Sequence, residues 1–132
     1  GLIARATPAA RRRDAETLTA LMQGISGREP VVWGSIIGFG SCHYRYPTGT
    51  EGDTPLLAFA PRRTATTIYL IDGTDAHADV LSRLGPHTTG TGCLYLKDLE
   101  AVDHGLLRSI LTASLRWAEN GGSPDMLVET TS

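Results

Sequence analysis

The sequence predicts an α+β fold: a curved antiparallel β-sheet with helices packed on one face, its elements in the order α-β-β-β-α-β-α. Three observations carry this expectation. Apolar residues recur at helical spacing near both ends of the chain, before Gly27 and after Asp103. Between Val31 and Ile71 the texture changes to β-branched and aromatic residues punctuated by Gly and Pro, with spacers of hairpin length. One further helix, after Asp75, leads to a last strand, so strands and helices are grouped rather than strictly alternating.

Each element has its own signal. Thr7 and Pro8 offer a hydroxyl N-cap and a proline at the first helical position, where its missing N–H is harmless. Ala15, Leu18, Leu21, Met22 and Ile25 form the apolar stripe of that helix, and Gly27 is placed to end it. "GFGSCHYRY" alternates, with Phe39, Ser41, His43 and Arg45 on one face and Cys42, Tyr44 and Tyr46 on the other. "PTGTEGDTP" reads as a hairpin loop between Pro47 and Pro55, "LLAFA" as a buried strand, "PRRTA" as a turn and "TTIYLI" as the third strand of a meander. Asp75 is the expected cap of a second helix over Ala76–Leu84, with His77, Val80, Leu81 and Leu84 inward and Gly85 as its stop. "CLYLK" is the last strand. Asp103 caps a final helix whose stripe is Leu106, Leu107, Ile110, Leu111, Ser114, Trp117 and Ala118.

Bulk properties bound the function. The 132 residues suit a single domain over 1–132, with a core over 8–119 and a loose tail over 121–132. A hydrophobic content of 41% and a charged content of 20% are ordinary for a globular chain. A formal net charge of −2 argues against a general nucleic-acid binder. No apolar run approaches the ~20 residues that span a bilayer, so no membrane partner is expected. "GLIARATPAARRR" has no signal-peptide core. Two cysteines, Cys42 and Cys93, read as reduced thiols of a cytoplasmic protein.

Four groups of residues bear on chemistry. "GPHTTGTGC", Gly85 to Cys93, is glycine-rich, and successive backbone N–H groups in such turns cradle anions. It lacks the Lys-Ser/Thr ending and following helix of a phosphate loop, so it reads first as a glycine-shaped connection from helix to strand. Cys42, His43, His87 and Cys93 are soft-metal donors by type, but Cys42 and His43 are strand neighbours and point to opposite faces. His43, Arg45, Arg62 and Arg63 would share the concave face of a curved sheet and hold a small anionic ligand. Asp72, Asp75 and Asp79 gather about the second helix start, where carboxylates serve as caps, as solvated surface or as weak hard-metal ligands. No Gly-x-Ser-x-Gly elbow and no His-Glu-x-x-His is present, and Ser41 with His43 lacks a third member, so no enzyme is expected.

Three blocks of this sequence resemble the YdhG-like domain family of small bacterial proteins. They are W-G-x-x-I-x-G-F-G at Trp33 to Gly40, H-Y-x-Y at His43 to Tyr46 and E-G-D at Glu51 to Asp53; the resemblance runs from about Pro8 to Glu119. It implies a compact α+β domain of unknown ligand. Some relatives are described as frataxin-like iron chaperones feeding iron–sulfur assembly, which would give Asp72, Asp75 and Asp79 a ferrous ion to bind. Where the family carries K-x-K-T-G-K-S-C after Gly85, this chain has Pro86, Thr88 and Thr91 at the lysine positions and Gly92 at the serine. Cys42 stands where tyrosine is usual and His77 where an aromatic is common. The combined expectation is a non-enzymatic binding module without a cofactor of its own. Its partner would be a small anionic ligand or a protein, and its state a monomer or weak homodimer. The alternative is weak ferrous binding through the surface carboxylates.

Overall fold

The structure, a computed structural model, describes residues 9–132. The Thr7–Pro8 helix start lies outside the described residues. Helix α1 (Ala9–Ser26) buries Ala15, Leu18 and Met22 on one stripe, as its period requires, and the Gly27 N–H closes it on the Gln23 carbonyl at 2.8 Å. Then come β1 (Pro30–Trp33), β2 (Ile36–Phe39), β3 (Cys42–Arg45), β4 (Glu51–Thr54), β5 (Leu57–Pro61) and β6 (Thr66–Tyr69). A 3-10 turn (Asp75–His77) runs into a one-turn helix α2 (Ala78–Leu81). Strands β7 (Thr88–Thr89) and β8 (Cys93–Leu96), a 3-10 turn (Leu99–Ala101), helix α3 (His104–Glu119), and strands β9 (Gly122–Ser123) and β10 (Met126–Thr130) complete the chain. The fold is α+β, with every strand pair antiparallel.

The strands form two sheets instead of the single one expected: six strands in the order β1-β2-β5-β6-β8-β7, and four in the order β4-β3-β10-β9. One long hairpin joins them. Phe39 stands opposite Leu57 and Cys42 opposite Thr54, with two residues intervening on each strand, so the register runs through unbroken. The bend falls at Gly40, whose φ of +71° and close approach to Arg28 and Leu56 leave no room for a Cβ. Phe39 and Cys42 are both fully buried, so the core-facing side switches at the bend and the expected continuous alternation through Ser41 breaks there. Ile37, Phe59, Ile68 and Leu94 form one cross-strand row against α1 and α3. Past the bend, the even-numbered Cys42 and Tyr44 turn inward with Val128 and Met126.

Three other expectations are corrected. The stretch after Gly121 is not loose: β10 pairs along the whole of β3, with Val128 opposite Tyr44 and Glu129 opposite His43. Its alternating "MLVET" supplies the apolar residue that the inner face of β3 needs. The loop between Pro47 and Pro55 shrinks to a turn closed by Tyr46 N–H on the Thr50 carbonyl at 2.8 Å, because Glu51–Thr54 pairs with β3. The second helix stops at Leu81 with His77 at its N-cap, and Asp75 instead opens the 3-10 turn before it, which Thr74 precedes as N-cap. The Thr74 hydroxyl donates to the Gly90 and Thr91 carbonyls at 2.8 and 3.2 Å, tying this segment to the loop before β8. Asp103 does cap α3, accepting the Leu106 N–H at 3.0 Å.

Candidate functional site

His43 and Arg45 lie on the open face of the four-stranded sheet, and β4 supplies their partners. The His43 ring nitrogens stand 3.0 Å from Asp53 Oδ1 and 2.7 Å from Glu51 Oε1. Those hydrogen bonds, Asp53 first and Glu51 second, raise the His43 pKa above its ordinary value. Arg45 Nε lies 3.9 Å from Glu51 Oε2. Beside them is a shallow hollow of about 210 Å³ lined by His43, Arg45, Leu127, Val128 and Glu129. Arg62 and Arg63 belong to the turn between β5 and β6 on the other sheet. Arg62 donates to Ser35 Oγ at 3.0 Å and to the Tyr69 hydroxyl at 3.1 Å. The four residues expected on one concave surface thus form two separate pairs, and Glu51 and Asp53 already stand against the first.

The three aspartates separate in the same way. The Asp72 side chain is buried, with Oδ2 held by His77 Nε2 and Oδ1 by the Ser114 hydroxyl, each at 2.8 Å, so it fastens the segment before α2 to α3. Asp75 is exposed, and the Asp79 side chain, 92% exposed, meets Arg83 at 3.4 Å. Among the described residues no three His, Cys, Asp or Glu side chains come together as a metal site. Cys42 and Cys93 are free thiols on different sheets.

A second opening lies beneath Gly85–Cys93, a stretch that is half connection and half edge strand. Gly85, with φ +120°, brings the chain so close to the Ala101 carbonyl that a Cβ would sit 2.9 Å from it. Thr88 and Thr89 then pair with Tyr95 and Leu94, and Gly90 N–H returns to the Cys93 carbonyl at 2.8 Å. Under this edge is a cleft of about 280 Å³ lined by Ala65, Pro86, His87, Thr88, Tyr95, Lys97, Asp98 and Ala101. His87 Nδ1–H donates to the Gly85 carbonyl at 2.7 Å, so in the neutral ring Nε2 keeps its lone pair. The Tyr95 phenol is held above its ordinary pKa, chiefly by its hydrogen bond with the Cys93 thiol. Lys97 is exposed, and among the described residues its ammonium has no ion-pair partner.

Helix α1 fixes the floor of this cleft. The Arg11 guanidinium donates to the Lys97 carbonyl, and the Asp14 carboxylate, 1% exposed, accepts the Leu99 N–H at 2.9 Å. Arg13 reaches Asp98 Oδ1 at 2.7 Å. Arg11 and Arg13, from the first turns of α1, thus lock the turn after β8. Lys97 and Tyr95 were not among the expected site residues. The signal that could have found Lys97 is that it is the one lysine in a chain with eleven arginines.

The fold and the cleft define an α+β domain with a small, mixed polar and apolar recess beside a sheet edge. No family model, no curated protein and no solved structure matches the chain. Among the described residues no helix is long and apolar enough to cross a membrane.

Proposed function

We propose that this chain is a non-enzymatic, cytoplasmic binding module of the YdhG-like kind, and that it holds a small anion with an apolar body in the cleft beneath Gly85–Cys93. The observation that carries this reading is Lys97, whose ammonium has no ion-pair partner among the described residues, lining a recess whose apolar walls are Ala65, Pro86, Ala101 and the Tyr95 ring. An unpaired cation is an electrostatic anchor for a carboxylate or phosphate. The apolar walls strip water from the rest of the ligand, which strengthens that attraction. His87 Nε2 and the Thr88 hydroxyl add one acceptor and one two-way group, which favours an anion that also carries an O–H or N–H. At about 280 Å³ the recess is at the lower limit for small-molecule sites, so the ligand is smaller than a nucleotide. Asp98 does not cancel Lys97, because its carboxylate is already engaged by Arg13 and by the Glu100 N–H at 3.0 Å.

The test uses amide NMR with benzoate, salicylate and inorganic phosphate as probes. Shifts centred on Thr88, Tyr95 and Lys97, lost in Lys97→Met and retained in Arg45→Ala, are the expected result. Shifts centred on His43 and Arg45, or shifts unchanged by Lys97→Met, would overturn the assignment of the cleft.

A further inference from the structure

Strand β4 is an edge of the four-stranded sheet: among the described residues β3 is its one neighbour there. It is four residues long, and Glu51 and Asp53 point to solvent. Little apolar burial therefore holds it. What the open face supplies is His43, with Asp53 directly opposite and Glu51 two residues along. Each ring nitrogen meets a different carboxylate, at 3.0 and 2.7 Å. Only the imidazolium has two N–H donors; a neutral ring satisfies one carboxylate and turns a lone pair toward the other. Glu129, opposite His43 on β10, adds a third negative charge facing the ring. Arg45, on β3 itself, contributes a positive charge through its 3.9 Å contact with Glu51.

We infer that His43 is a proton-operated clasp: protonated, it fastens edge strand β4 to β3 through Asp53 and Glu51, and on losing its proton it releases that edge. The device is independent of the cleft, which is built on the other sheet. Its sign follows from the direction of the shift. A histidine whose folded-state pKa is raised contributes its full stabilisation below the free value, about 6.5, and loses it as pH rises through the raised pKa. The edge is therefore closed in mild acid and loosens on the alkaline side, while the six-stranded sheet keeps its pairing.

Two readings on the intact protein test this together: the His43 side-chain titration by NMR, and amide hydrogen exchange corrected for its intrinsic pH dependence. His43 is expected to titrate above about 6.5, with Asp53→Asn and Glu51→Gln each lowering its pKa. Protection of the β3–β4 amides is expected to fall relative to β5–β6 by about tenfold for each unit of upward shift. In His43→Gln that pH-dependent part disappears. A His43 titrating at or below 6.5, or the same loss of protection in His43→Gln, would overturn the clasp.

Discussion

The six-stranded and four-stranded sheets share a hairpin with one unbroken register, yet different forces hold them. Before the bend, the row Ile37, Phe59, Ile68 and Leu94 is buried against two helices, and both strands of the hairpin are flanked by further strands. After it, the inner face offers Cys42, Tyr44, Met126 and Val128, and the outer face is a set of charges in water. Burial is non-directional and insensitive to pH, whereas the outer contacts are directional and depend on protonation. The same backbone pairing thus yields a rigid platform at one end and a responsive edge at the other.

The largest effect should come from cutting the platform. Phe59 has no exposed surface, and Phe59→Ala removes a ring from the middle of the buried row. The expected loss is about 3–5 kcal/mol, a large part of the stability of a domain this size. Urea unfolding checks it. A loss below about 1 kcal/mol would mean the row is not the dominant source of stability, and the contrast between the sheets would fall.

Val128→Ala probes the other end. Val128 is 8% exposed, opposite Tyr44 on β3, in a strand that packs on α3. Two lost methyl-sized groups cost about 1.5 kcal/mol, which corresponds to about a tenfold faster local opening. Amide exchange should accelerate in β3 and β10 and stay unchanged in β5 and β6. Equal acceleration everywhere would show the two sheets to be one cooperative unit.

That contrast also explains what was legible in the sequence. The platform was, because its residues obey local periodicities: Leu18 and Met22 at helical spacing, "LLAFA" and "TTIYLI" as apolar runs, Asp103 as a cap. The responsive end was not. Gly40 reverses which parity faces the core, so alternation read straight through "GFGSCHYRY" misassigns the face beyond it. β10 has a short pattern after two glycines, and only its pairing with β3, over 80 residues earlier, makes it a strand. The cleft was invisible for the same reason. The contacts of Arg11 with the Lys97 carbonyl and of Asp14 with Leu99 span 86 and 85 residues, so no local spacing announces that Lys97 will sit beside His87. The acids near Asp75 showed the opposite failure: they are close in sequence, but Asp72 spends both oxygens on His77 and Ser114.

The smallest effect is read in the two sheets through their own thiols. Cys42 is on the inner face past the bend, donates to the Thr54 carbonyl at 3.5 Å, and has its pKa pushed up to about 11, first by burial and then by the Asp53 charge. Cys93 is half-buried on the platform. The thiolate is the reactive form, so a small aromatic disulfide at pH 8 should modify Cys93 first, and Cys42 only through opening of β3, β4 and β10. The protonated Cys42 thiol is the form the fold favours; its contribution is constant below its ordinary pKa, near 9, and is lost as pH rises toward about 11. Val128→Ala should therefore speed Cys42 labelling about tenfold and leave Cys93 unchanged. If Cys42 labels as fast as Cys93 in the unsubstituted protein, its inner face is reached without any opening, and the four-stranded sheet is not a layer that closes over the core.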